Sequence, residues 1–193
     1  MMTEQQTSTN LSNTKLAMWV FLGSECLLFG GLISTYLLYK TRGNGRTLPA
    51  EVFDIPFTSV SSFVLLMSSL TMVLALSAVS QDNREAGRVW LLATALLGAL
   101  FIGGQVYEFT AFVREGVGFT TSPASSAFFA LTGFHGVHVS LGIIMLMSLF
   151  IISVKGNLTQ RNAETVEVVG LYWHFVDIVW VFIFTVIYLI PVE

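Results

Sequence analysis

Five long apolar stretches alternate with short polar ones along this chain, at residues 15–40, 57–80, 88–113, 126–155 and 168–191. Each meets or exceeds the ~20 residues a helix needs to cross the hydrocarbon of a bilayer. Inside a bilayer only helices and closed barrels satisfy every backbone group, and these stretches lack the two-residue alternation of barrel strands. The pattern predicts an all-α membrane protein, a bundle of five transmembrane helices. An odd number of crossings puts the termini on opposite sides. Turn-forming residues punctuate the gaps: residues 42–46 with Pro49 and Pro56, residues 80–85, residues 115–118 with Ser122 and Pro123, and residues 156–162. No gap is long enough for a soluble domain, and no internal repeat is visible. Residues 1–14 read as a polar tail and residues 15–193 as one five-helix domain. The first stretch has no small-residue cleavage site, so it reads as a retained helix and not a signal peptide.

Composition agrees. The chain is 54% hydrophobic and 11% charged, where a soluble domain carries about 25% charged residues. The net charge of −3 is spread over the loops, with no basic patch for nucleic acid. Cys26 is the only cysteine, which excludes an internal disulfide and Cys-paired metal sites. It reads as a small packing residue. Lys15, Arg84, Arg88, Lys155 and Arg161 fall on the N-terminal side, against Lys40, Arg42, Arg46 and Arg114 on the other. That balance leans toward a cytoplasmic N-terminus and an outside C-terminus, in a multi-pass protein of the cell membrane.

The candidate chemistry lies in polar islands within the apolar stretches. His135 and His138 are framed by Gly133, Gly136, Ser140 and Gly142. They share one side of a helix, and the small residues let a neighbouring helix approach. His174 and Asp177 share a face in the fifth stretch, with Trp173 and Trp180 beside them. Glu25 is alone among Phe21, Leu22, Leu28 and Phe29. Ionisable groups at membrane depth are expensive and so are functional candidates. At about 1.5 Å per residue, Glu25 lies roughly 15 Å and Asp177 roughly 13 Å from the N-terminal-side edge, with His138 at a similar level. The three are expected to form one buried layer if the helix rotations agree.

Each island also has a plainer reading. Glu25 is open to three roles: a proton-handling group, a ligand for water or a lipid headgroup, or a hydrogen-bond partner of another helix. An Asp beside a His is often a pair without chemistry. Glu108, beside Gln105 and Tyr107 near the outer end of the third stretch, reads as an interfacial anchor that reaches water. His135 and His138 supply two metal ligands at most, and a site needs three or four. His174, Glu25 and Asp177 could complete one in principle, but glycine-framed histidines more often find helix–helix hydrogen bonds, so no metal site is assigned. Gly30 with Ser34, Ala99 with Gly103 and Gly136 with Ser140 mark expected packing faces, as do Ser61, Ser62, Ser68, Ser69 and Thr71 along the second stretch.

Three segments together resemble subunit III of the haem–copper oxidases, the cytochrome c and quinol oxidase family. They are Trp19-Val-Phe-Leu-Gly-Ser-Glu25 with Phe29, Thr132-Gly-Phe-His-Gly-Val-His138, and Tyr172-Trp-His-Phe-Val-Asp177 with Trp180. Pro56 followed by Ser68-Ser69-Leu-Thr71, and Gln105-Val-Tyr-Glu108-Phe, add weaker support. The resemblance spans Leu16 to Leu189. It implies a lipid-holding cleft, in the short five-helix form that lacks two N-terminal helices, and a cytoplasmic N-terminus. It implies a cofactor-free subunit, with haem and copper in partner chains: a catalytic subunit I and a copper-bearing or quinol-type subunit II. A haem–copper centre with its companion haem takes more histidines than the three present, and the binuclear copper entry site takes a pair of cysteines. The family role implied is support of proton uptake and protection of the oxygen site, with bound phospholipid. Glu25 matches the family's intramembrane acid. His135, His138, Trp173, His174, Asp177, Trp180 and Glu108 are candidates for a lipid-facing or packing network, with no catalytic residue. A quinol oxidase subunit, a nitric oxide reductase accessory chain, a small proton-linked transporter and a membrane enzyme with a His/Asp site are the alternatives. The missing repeat and the absence of a proline deep within any stretch weigh against the transporter, and too few clustered ligands against the enzyme.

Overall fold

The computed structural model describes residues 12–42 and 55–190. Most of the polar tail, most of the first gap (including Arg46 and Pro49) and residues 191–193 lie outside them. The described residues form five helices: α1 (Asn13–Arg42), α2 (Ile55–Ser80), α3 (Arg84–Arg114), α4 (Pro123–Val154) and α5 (Ala163–Phe184). Each is long and apolar enough to cross a membrane. A short 3₁₀ turn, Gln160–Asn162, leads into α5, and a π turn, Thr185–Leu189, extends it.

Local chemistry sets the ends. Ser122 and Ser125 exchange side-chain-to-backbone hydrogen bonds in a capping box at the start of α4, with Pro123 in the first turn, where its missing N–H costs nothing. Asn83 accepts from the Ala86 N–H at the start of α3. At the far end of α4, Gly156 takes a left-handed conformation (φ +75°). Its N–H and that of Asn157 then reach the carbonyls of Ser153 and Ile152.

α5 is the hub, packed against α1, α2 and α4, while α3 closes the ring between α2 and α4. α1 lies outside this ring, packed mainly against α4 and α5. Just 11% of its apolar window is buried, against 50% of that around α5.

α2 is polar inside and apolar outside. Thr58, Ser61, Ser62, Ser68 and Thr71 share its buried face with Leu65, Met72 and Ala75. Val60, Phe63, Leu66, Leu70 and Val73 point outward. In lipid nothing expels apolar side chains from the outer surface, so the interior is free to collect small hydroxyls that bond across helices.

The expected small-residue faces are partly misplaced. A Cβ added at Gly30, Gly103, Gly133 or Gly136 would meet nothing within 4 Å, so these glycines bring no other part of the chain close. The closest approaches fall at Gly98 and Gly142 instead, while at Gly104 an added Cβ would lie 2.9 Å from Ser61 Oγ. Gly98 and Gly142 both face Trp173, and an added Cβ would lie 2.5 Å and 2.7 Å from its ring atoms. What these two glycines admit is a tryptophan, not a second backbone.

Candidate functional site

Glu25 of α1 and His138 of α4 meet near the middle of the bundle. Glu25 Oε2 lies 3.0 Å from His138 Nε2. The other ring nitrogen, Nδ1, lies 2.7 Å from the Phe134 carbonyl oxygen. A carbonyl only accepts, so Nδ1 carries a hydrogen. One further proton then lies between Nε2 and Oε2, either on the imidazole facing a carboxylate or on the carboxyl facing a neutral ring. The pair is a one-proton site. Tyr172 of α5 donates its hydroxyl to the His138 carbonyl at 3.0 Å, and Phe29 meets the His138 ring edge-on at 5.0 Å. The side chains stay partly accessible, 14% for Glu25 and 12% for His138.

His135 departs from expectation. It is completely buried, and neither ring nitrogen has a hydrogen-bond partner. Aromatic contacts replace helix–helix hydrogen bonds. The ring stacks on Trp180 at 5.0 Å and 23°, with Phe101 edge-on at 5.9 Å. Trp180 donates its indole N–H to Ser62 Oγ at 2.8 Å, and Trp173 donates to Ser68 Oγ at 2.9 Å. Both buried tryptophans are thus fixed by serines of α2.

His174 and Asp177 do not bond each other. His174 Nδ1 lies 2.6 Å from the Ser69 hydroxyl, and both Asp177 oxygens are buried without a partner. The expected layer is therefore incomplete: Glu25 and His138 meet, and Asp177 joins neither. Among the described residues no three His, Cys, Asp or Glu side chains lie together as a metal site would require.

Glu108 is not the water-reaching anchor expected. It is 4% exposed and accepts from Thr58 Oγ1 (2.7 Å), the Tyr188 hydroxyl (3.0 Å) and Gln105 Nε2 (3.4 Å). It ties α2, α3 and the end of α5 together. Its partners Thr58 and Tyr188 are far off in sequence, so only the fold brings them near. Lys40, which sequence reasoning passed over, performs a related task. Its Nζ donates to the carbonyls of Val186 (2.8 Å) and Ile190 (2.7 Å). A cation there complements the negative end of the helix and satisfies carbonyls the π turn leaves over. A lysine at the end of an apolar stretch was the available signal.

The fold and site define a multi-pass membrane protein, a five-helix bundle in which Glu25 pairs with His138 and His135 packs among aromatic rings. The chain belongs to the cytochrome c oxidase subunit III family, whose model matches residues 2–192. It is similar to cytochrome c oxidase subunit 3 of Bacillus sp. (strain PS3), at 42% identity over 96% of this chain and 90% of the relative. It is similar also to quinol oxidase subunit 3 of Bacillus subtilis (strain 168), at 39% identity over 96% of this chain and 91% of the relative. A probable quinol oxidase subunit 3 of Staphylococcus saprophyticus is 41% identical over 91% of this chain and 88% of the relative. The chain is subunit III of a terminal respiratory oxidase, a multi-pass protein of the bacterial plasma membrane.

Proposed function

We propose that this chain is the cofactor-free companion of an oxidase's redox subunits, sustaining their proton uptake and shielding the oxygen site from inactivation during turnover. The observation that carries the reading is the Glu25–His138 pair, a one-proton site at membrane depth whose side chains stay partly accessible. Such a group keeps its proton in place while the neighbouring subunit works. The partners are a catalytic subunit I and a copper-bearing or quinol-type subunit II. Phospholipid is the ligand. An apolar groove of about 730 Å³ between α2 and α3, lined by Phe57, Val64, Leu100 and Gly103, has the chemistry of an acyl-chain seat. The donor, cytochrome c or quinol, follows from the second subunit.

The test is purification of the oxidase with and without this chain. The complete complex should co-isolate with haem-bearing partners, with neither haem nor copper on this chain alone. The stripped complex should start at the normal rate and lose activity over repeated turnovers. Immediate loss of haem, or a stripped oxidase that turns over as long as the complete one, would overturn the proposal.

A further inference from the structure

The groove between α2 and α3 is as long as one leaflet of a bilayer is deep. Along α3 it runs from Leu96 to Tyr107, about 16 Å at the rise of an α-helix. Half the hydrocarbon of a bilayer is about 15 Å. α3, with 31 residues, is about 46 Å long, close to the ~40–45 Å of a bilayer with its headgroup layers. Leu96 therefore lies near the midplane and Tyr107 near the edge of the hydrocarbon on the C-terminal side. A second transmembrane helix would need a track of about 30 Å. An acyl chain entering from the C-terminal side needs only half of that. The floor of the groove is tight, since a Cβ added at Gly104 would lie 2.9 Å from Ser61 Oγ. Val60 and Leu100, each 65% exposed, stand out as its walls. Gly103 lies open between them, and a Cβ added there would meet nothing within 4 Å. At the outer end the rings of Phe57 and Tyr107 meet at 5.4 Å, at the level where aromatic side chains gather in membrane proteins.

Arg114 continues this line. It follows Tyr107 by two turns on the same side of α3, about 10 Å further along the axis, which puts it in the headgroup layer. It is exposed, and it bridges to no carboxylate among the described residues. Glu115 is the next residue, so it does not share that side of the helix. Glu108 is buried and accepts from Thr58 and Tyr188. A guanidinium with no carboxylate of its own thus stands above an apolar recess. We propose that the groove seats one acyl chain of an anionic phospholipid from the C-terminal-side leaflet, with Arg114 holding its phosphate; this rests on the acyl-chain reading given above. A guanidinium binds phosphate oxygens through paired, charge-assisted hydrogen bonds. A zwitterionic lipid carries its own cation beside the phosphate, so Arg114 adds less there. Net negative charge is what the mouth of the groove selects, while its walls accept any saturated chain.

The experiment is photo-crosslinking of the complete oxidase complex in phosphatidylcholine vesicles. The probes are phosphatidic acid and phosphatidylcholine, each with a diazirine on one acyl chain, and the labelled peptides are mapped by mass spectrometry. Both probes should label residues 57–64 and 96–107, phosphatidic acid the more strongly. Gly103→Leu fills the recess, so labelling by both probes should fall. Arg114→Gln should lower labelling by phosphatidic acid about threefold, to the level of phosphatidylcholine, as loss of one exposed charge contact does. Groove labelling that is absent in the wild type, or unchanged in Gly103→Leu, would overturn the acyl-chain seat and the proposal with it. Labelling that falls in Gly103→Leu but ignores Arg114→Gln would overturn the anionic headgroup site and leave the seat standing. If Gly103→Leu fails to assemble, the preference for phosphatidic acid and its loss in Arg114→Gln decide the matter.

Discussion

The backbone of Gly98 and the indole of Trp173 occupy one space: a single added Cβ would lie 2.5 Å from the ring. Trp173 is fully buried and pinned by its bond to Ser68, so it cannot swing away without losing that bond. Gly98→Ala should therefore destabilise the bundle by about 1–3 kcal/mol, the usual cost of overpacking a tight core. Gly103→Ala, where nothing lies within 4 Å, should change stability far less. Denaturation in mild detergent compares the two. Equal effects would show that the crowding around Trp173 is unimportant.

The Glu25–His138 pair yields a sharper contrast. With Nδ1 committed to Phe134, Nε2 accepts as readily from an amide N–H as from a carboxyl. Glu25→Gln should preserve the contact and most of the stability. Glu25→Leu strands the ring nitrogen and should cost about 1–3 kcal/mol. An apolar carbodiimide should label the wild-type chain at Glu25 and spare Glu25→Gln. Glu25 is 14% accessible, whereas Glu108 and Asp177 are 4% and 2% exposed. Modification spread evenly over all three would remove Glu25's special place.

Glu108 should behave as a structural knot. Tyr188→Phe removes one donor and should cost about 1 kcal/mol. Glu108→Ala leaves the Thr58, Tyr188 and Gln105 groups to find new partners in a dry interior and should cost more than Tyr188→Phe. A double-mutant cycle between Glu108 and Tyr188 reads the coupling directly. Strictly additive losses would mean the two act independently.

Lys40 offers a charge test. Lys40→Met keeps the long stem but removes the donors to Val186 and Ile190. The last turn of α5 should fray, seen as faster amide exchange there, with exchange elsewhere unaltered. Unchanged exchange at that end would mean the carbonyls need no cation.

The sequence carried the helices plainly because hydrocarbon thickness constrains length more than residue choice. It also picked out Glu25, His138, His174 and Asp177, since ionisable groups stand out in an apolar stretch. It did not carry rotation. Apolar residues surround these helices on nearly every side, so periodicity does not say which face looks inward. That is why Gly30, Gly103 and Gly136 read as packing positions and turned out to bring no helix close. Gly142 was read as a helix-approach position, and it makes room for Trp173 instead. Glu108 was misread for a related reason. Nearness to a helix end argued for water, and nothing local announced Thr58 and Tyr188.

The position of α1 reverses the order in which the molecule can be put together. Among the five described helices α1 is made before α4 and α5, the two it packs against most. It must wait in the lipid, its acid without its imidazole, until more than half the chain has followed it. Completing the Glu25–His138 contact is then a late event in biogenesis, and it reports that every helix in between has been inserted.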